Sequence, residues 1–260
     1  MNNKNRVAII GGGSKGLGRG CAEQLAKTGH NIVLCARNIE TLSKTVEEIR
    51  QQGVKVIGLN GDMADLEFNK RVVKATLDEF GRIDILVNNS GGPKPGKFET
   101  FSDNDWYTAF ESVLMYAVRM TSLVLPHMRS NNWGRIVNVA SLSVKEPSET
   151  LILSNVFRSG IVAFSKSISK DLIKSGITIN TLCPGAFMTD RAKELIAAAA
   201  ETQNRDPKEL AVENGAKLPL GRYQRPEELG AMVAYLCSDL AGGVTGTTIQ
   251  IDGGISNCLL

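Results

Sequence analysis

The 260-residue sequence has few of the residues that signal metal or disulfide chemistry. Its two histidines, His30 and His127, lie far apart, and its five cysteines (Cys21, Cys35, Cys183, Cys237, Cys258) show no Cys-x-x-Cys or Cys/His ligand spacing. An odd, scattered set of thiols argues against a disulfide framework and reads as small buried hydrophobes in a reducing compartment. No metal site is expected. Cys258, third from the end, misses the prenylation position. Charge of one sign is also scarce: the net charge of +3 is spread along the chain, which leaves nucleic acid and anionic membrane surfaces as poor partners. No uninterrupted apolar run approaches the ~20 residues needed to cross a bilayer. The opening Met1–Arg6 lacks the apolar segment of a signal peptide, so a cytoplasmic location is expected. With 42% apolar and 22% charged residues, disorder is disfavoured, and one domain over 1–260 is expected.

What is present is rhythm. The apolar runs Val7–Ile10, Ile32–Cys35, Val54–Leu59, Ile83–Val87, Ile136–Val139, Ile177–Leu182 and Thr248–Ile251 read as buried parallel strands. Helical periodicity fills the stretches near 17–28, 39–52, 66–80, 103–130, 150–175 and 226–238. Repeated βαβ units predict an α/β fold, a Rossmann-type doubly wound parallel sheet of about seven strands with helices on both faces. The irregular stretch 187–225 holds an alanine-rich piece (Ala197–Ala200) and a charged piece (Glu201–Glu213). Its place beside the strand ends suits a substrate lid, against a surface excursion without a gating role.

Gly11-Gly-Gly-Ser-Lys-Gly-Leu-Gly18 follows the first strand and opens the first helix. Glycines permit the tight turn and close backbone approach that a pyrophosphate requires, and the helix N-terminus offers free N–H groups and partial positive charge. Gly11, Gly13 and Gly16 fit G-x-G-x-x-G, while Gly12, Gly16 and Gly18 fit G-x-x-x-G-x-G, the preferred alignment. The second strand ends Cys35-Ala-Arg-Asn38, where a site for NAD would place an acid to meet the ribose 2′-hydroxyl. Arg37, with Lys15 in the glycine turn, suits a 2′-phosphate instead, which favours NADP(H) over NAD(H).

The stretch Gly134–Ser141, then Ser154-Asn-Val-Phe-Arg158, then Gly160–Lys166 resembles the catalytic half of a short-chain dehydrogenase/reductase of the 3-oxoacyl-acyl-carrier-protein reductase type. That resemblance implies further cofactor contacts: Ser14, Leu17 and Asn38 in the cradle, Asp62 with Met63 at the adenine, Asn89-Ser90-Gly91 after the fourth strand, and Pro184, Gly185 and Thr189 at the nicotinamide. In the family, Tyr-x-x-x-Lys begins thirteen positions after the active-site serine. Here Ser141 is the serine, while the tyrosine falls on Ser154, the lysine on Arg158 and the supporting asparagine on Val113. The implied catalytic set is therefore Ser141, Ser154 and Arg158, with Arg158 also on the nicotinamide ribose.

A serine hydroxyl is a weak acid unless activated, and proton transfer is typically worth ~10²–10⁴-fold. Tyr116, three residues after Val113, is a candidate to face the same pocket. Ser143, Lys145, Glu146 and Glu149 are candidates at the mouth, against ordinary loop solvation and capping. Phe98, Phe101, Trp106, Phe157 and Phe187 are read as core rather than as a pocket lining. Three functions stay open: an oxidoreductase on a carbonyl or acyl-thioester substrate with a rearranged proton donor, an NADP-binding sensor or scaffold without turnover, and non-redox conversion with NADP as a structural element. The family often forms homotetramers or homodimers, here through 103–130 and 150–175.

Overall fold

The computed structural model describes residues 6–259; the expectation for the first five residues lies outside them. The elements in chain order are β1 (Val7–Gly11), α1 (Gly16–Lys27), β2 (Asn31–Ala36), α2 (Ile39–Arg50), β3 (Val56–Asn60), α3 (Leu66–Phe80) and β4 (Ile85–Asn88). A second half follows with α4 (Asp103–Ala109), a π-helical turn (Phe110–Met115), α5 (Tyr116–Ser130), β5 (Gly134–Val139), α6 (Ile152–Leu172) and β6 (Ile177–Pro184). It closes with α7 (Asp190–Thr202), α8 (Pro207–Ala216), α9 (Pro226–Leu236) and β7 (Thr248–Ile251).

Among the described residues seven strands form one parallel sheet in the order β3-β2-β1-β4-β5-β6-β7. The order reverses between β1 and β4, and such a switch point opens a crevice at the carboxyl ends of the strands. Alternation builds the two faces. Ala8, Ile10, Ile32 and Leu34 pack under α1, α2 and α9, while Val7, Ile9, Val33 and Cys35 pack over α3, α5 and the end of α6. Burial on both sides explains why the central strands are apolar without interruption.

The seam between α1 and α9 needs glycine. A Cβ on Gly20 would meet the Pro226 carbonyl oxygen at 2.5 Å, and one on Gly230 the Gly20 oxygen at 2.2 Å. Behind the crevice a buried polar chain links neighbouring strands: Asn88 Nδ2 donates to Asn138 Oδ1 (2.8 Å), and Asn138 Nδ2 to Ser165 Oγ (2.8 Å). Buried amides must be satisfied, so this chain holds the ends of β4 and β5 in register with α6.

One reading needs correction. The stretch 187–225 is not irregular, since it carries α7 and α8, both with side-chain N-caps from Thr189 and Asp206. The continuous helical run Asp103–Ser130 is long and apolar enough, by length and composition, to cross a membrane. Its apolar residues Met120, Val124 and Met128 are nevertheless fully buried against the sheet. It is built as a core helix.

Candidate active site

The glycine turn is shaped by sterics. Gly12 and Gly16 both take φ +56°, a left-handed conformation that glycine adopts freely. A Cβ on Gly18 would stand 2.2 Å from the Gly12 oxygen and 2.8 Å from Asn89 Nδ2. That amide in turn donates to the Gly11 oxygen at 3.0 Å, so the loop after β4 clamps the turn. Thr45 Oγ1 donates to the Ser14 carbonyl at 2.9 Å. The N-cap of α1, Lys15, supplies no side-chain acceptor, and the Gly16 N–H is met instead by Asp190 Oδ2 at 3.0 Å. A carboxylate thus stands where a helix N-terminus welcomes a phosphate.

A cleft of about 930 Å³ runs along the strand ends. Of the sequence candidates, Gly12, Ser14, Lys15, Gly16, Leu17, Arg37, Asn38, Asp62, Met63, Asn89, Ser90, Gly91, Arg158 and Thr189 line it. Gly18 does not, because it is packed beneath Gly12. Pro184 and Gly185 border a second cavity of about 330 Å³, together with Ser141, Ser143, Glu146 and Leu151. Both sets of candidates are therefore split: catalytic Arg158 lies with most nucleotide candidates, Ser141 lies with Pro184 and Gly185, and Ser154 lines neither cavity.

Sequence reasoning missed several cleft residues: Thr41, Tyr107, Thr108, Glu111, Ser112, Asp190 and Arg191. The last two directly follow Thr189, so their position was available from the motif. Glu111 and Ser112 sit on the π-helical turn, a feature that recurs at functional sites and has no simple sequence signal.

The three catalytic candidates are not equivalent in space. Ser141 caps the short turn after β5, its Oγ accepting from the Ser143 N–H at 3.2 Å. Ser154 is buried at the start of α6, with its Oγ 3.3 Å from Ser143 Oγ. Arg158, one helical turn on, borders the main cleft, and its Nη1 donates to the carbonyls of Val139 (2.7 Å) and Ala140 (2.5 Å). Burial lowers its pKa to about 10, with Arg191 adding to the fall, yet it remains a cation at neutral pH.

Tyr116 does not share their space. Its phenol is buried under Gly11, where a Cβ would meet its oxygen, and burial pushes its pKa up. Val113 packs with Ala117 and Ile161 in a separate apolar cluster that Leu114 and Phe157 also join. Of the aromatics expected in the core only Phe187 is buried there; Phe98, which is exposed, and half-buried Phe101, Trp106 and Phe157 form a chain of edge-to-face rings with centroids 5.9–6.5 Å apart. Glu146 accepts from the Asn257 N–H at 2.7 Å and so ties the C-terminal segment to the loop after Ser141.

The family model described as enoyl-(acyl carrier protein) reductase matches residues 12–256. A ketoacyl reductase of the monensin polyketide synthase from Streptomyces virginiae is 34% identical, over 97% of this chain and 98% of its own. The 3-oxoacyl-[acyl-carrier-protein] reductase of Vibrio cholerae is 31% identical, over 98% and 99% respectively. Among solved structures, L-sorbose reductase from Gluconobacter frateurii, complexed with NADPH and L-sorbose, superposes with a TM-score of 0.95 at 30% identity over the whole of both chains.

Proposed function

This chain belongs to the short-chain dehydrogenase/reductase family, and from that premise we propose that it is an NADP(H)-dependent oxidoreductase acting on a carbonyl or hydroxyl substrate. The carrying observation is the continuous cleft from Arg37 past the glycine turn to Arg158. The residues fit a dinucleotide. Gly18 lets the turn close over the start of α1, since a Cβ there would strike the Gly12 oxygen, and the Asp190 carboxylate on the Gly16 N–H stands in for a phosphate oxygen. Arg37, 79% exposed and only loosely paired with Asp62 at 3.9 Å, is free to meet a 2′-phosphate. When bound, the dinucleotide supplies or accepts the hydride.

The chain's own residues then handle charge and proton. Ser141 orients the carbonyl by hydrogen bond, and Arg158 stabilises negative charge developing on its oxygen. Ser154 and Ser143 form a hydroxyl pair through which a proton passes from solvent, in place of an acid with a pKa near working pH. Such a site is atypical for the family, and its turnover is expected to be slow. The whole chain acts as one catalytic domain, with 187–225 as a lid over the substrate, in a cytoplasmic homo-oligomer. A 3-oxoacyl thioester is the reference substrate, after the relatives' names.

A second reading, a dinucleotide-binding protein without turnover, is favoured by the burial of Tyr116 away from the cleft and the apolar surroundings of Val113. One experiment separates the two. NADPH binding is measured by titration, and NADPH oxidation is followed by absorbance over a panel of ketones and 3-oxoacyl thioesters. Turnover abolished by Ser141→Ala supports the oxidoreductase. Binding with no turnover, and activity appearing only in the Ser154→Tyr/Arg158→Lys variant, supports the second reading; absence of binding refutes both.

A further inference from the structure

The cavity beside Ser141 has polar residues on its wall, yet most of their polar groups are engaged with the protein. The Ser143 hydroxyl lies 3.3 Å from that of Ser154, and Ser148 Oγ accepts from the Thr150 N–H (3.4 Å) and meets Thr150 Oγ1 (3.2 Å). Glu146 Oε1 accepts from the Asn257 N–H at 2.7 Å and lies 3.6 Å from Cys258 Sγ. Ser141 differs: its Oγ accepts from the Ser143 N–H, and its own proton meets no acceptor among the described residues. The remaining side chains on the wall are Leu142, Leu151, Pro184, Ala186 and Ile255. One hydroxyl donor in such surroundings suits a carbonyl that carries an alkyl group. A charged or hydroxylated group would lose water there without gaining partners.

Ile255 reaches this wall from the segment after β7, which is built as a strap. Asp252 accepts from the Gly254 N–H (3.1 Å) and the Ser256 N–H (2.9 Å). Gly253 and Gly254 take φ +67° and +84°, left-handed conformations that turn the chain back. Asp252 also packs so close to Gly185 that a Cβ there would stand 2.7 Å from its Cα. Beyond Ile255 the strap is tied at Asn257 to Glu146, and at Cys258, whose Sγ–H donates to the Lys145 carbonyl at 3.2 Å. One end is thus fixed at the turn after β6 and the other on the loop after Ser141. A side chain held from both flanks does not swing aside for a longer ligand.

We propose that the substrate is a ketone with an uncharged alkyl substituent, and that Ile255 sets the length of the substituent that the cavity beside Ser141 accepts. The cavity volume of about 330 Å³ corresponds to roughly ten heavy atoms at about 30 Å³ each. Carbons removed from position 255 are therefore carbons that a ligand can add. That the ketone is reduced rests on the reading above; the size limit rests on the strap and the wall alone.

Calorimetric titration of the NADP+-saturated protein with the 2-alkanones from butan-2-one to decan-2-one tests this. Affinity should rise about fourfold per added methylene while the chain is being buried, then level off. Ile255→Ala should move the levelling point about two carbons longer, and Ile255→Trp about two carbons shorter. 6-Methylheptan-2-one should bind about tenfold more tightly than 5-oxohexanoate, the carboxylate of the same shape. A levelling point unmoved in both Ile255 variants, equal binding of ketone and carboxylate, or no ketone binding at all would overturn the assignment. NADPH oxidation over the same series keeps the two readings apart. Ketones that bind with the chain-length break but are not reduced refute the reductase and leave the size limit standing, while reduction that ignores chain length does the reverse.

Discussion

Asp190 occupies ground that a dinucleotide needs. Its Oδ2 lies 3.0 Å from the Gly16 N–H at the start of α1, and a pyrophosphate on that turn must displace it. An anion at a helix N-terminus is worth about 0.3–1 kcal/mol when exposed. The Asp190 side chain is 43% exposed, so solvent screening keeps the contact toward the lower end of that range. Asp190→Ala should therefore tighten NADPH binding by about twofold, and Asp190→Asn, which keeps the acceptor without the charge, by less. Asp190 is also the acid in the first turn of α7, and its loss should lower stability slightly. That second effect appears in thermal melting and not in a titration. Fluorescence titration with NADPH at fixed ionic strength reads the difference, which should shrink as salt is raised. Unchanged or weaker binding by Asp190→Ala would refute the competition and leave Asp190 as a helix cap alone.

Two further outcomes follow from the same cleft. Gly18→Ala and Gly230→Ala each drive a Cβ to 2.2 Å from a backbone oxygen and should each cost about 1–3 kcal/mol of stability. Only Gly18→Ala should also impair NADPH binding, and equal impairment by Gly230→Ala would show the cradle to be unspecific. Arg37→Ser should lower the ratio of NADPH to NADH affinity about tenfold, the worth of a charge-assisted contact, and an unchanged ratio would place the 2′-phosphate elsewhere.

The sheet was legible because burial on both faces leaves an uninterrupted apolar run, as in Val7–Ile10 and Ile177–Leu182. The edge strand was less so. In β3 only Val56 is buried, half-buried and exposed residues alternate after it, and the expected Val54 start gives way to Val56. The helices α7 and α8 were hidden by reading composition where punctuation was informative: Asp206 followed by Pro207 is an N-cap with proline at the first helical position. The glycine turn was readable down to single residues, since φ +56° at Gly12 and Gly16 selects glycine by sterics alone.

Side-chain direction was the part that sequence spacing could not supply. Placing Tyr116 beside Val113 assumed regular α-helical rotation, but the π-helical turn Phe110–Met115 lies between the start of α4 and α5 and shifts that phase. Val113 consequently faces α6, and Tyr116 faces the underside of the glycine turn. Ser154 and Arg158 show the opposite failure. Four residues apart on α6, they do share a helix face, yet the shorter side chain stops at Ser143 while the longer reaches the carbonyls at the end of β5. Reach, not register, divides them: Arg158 borders the main cleft, while Ser154 meets Ser143, which borders the second cavity. A proton carried by the serine pair and a charge held by the arginine can therefore act on one substrate only if it spans both spaces.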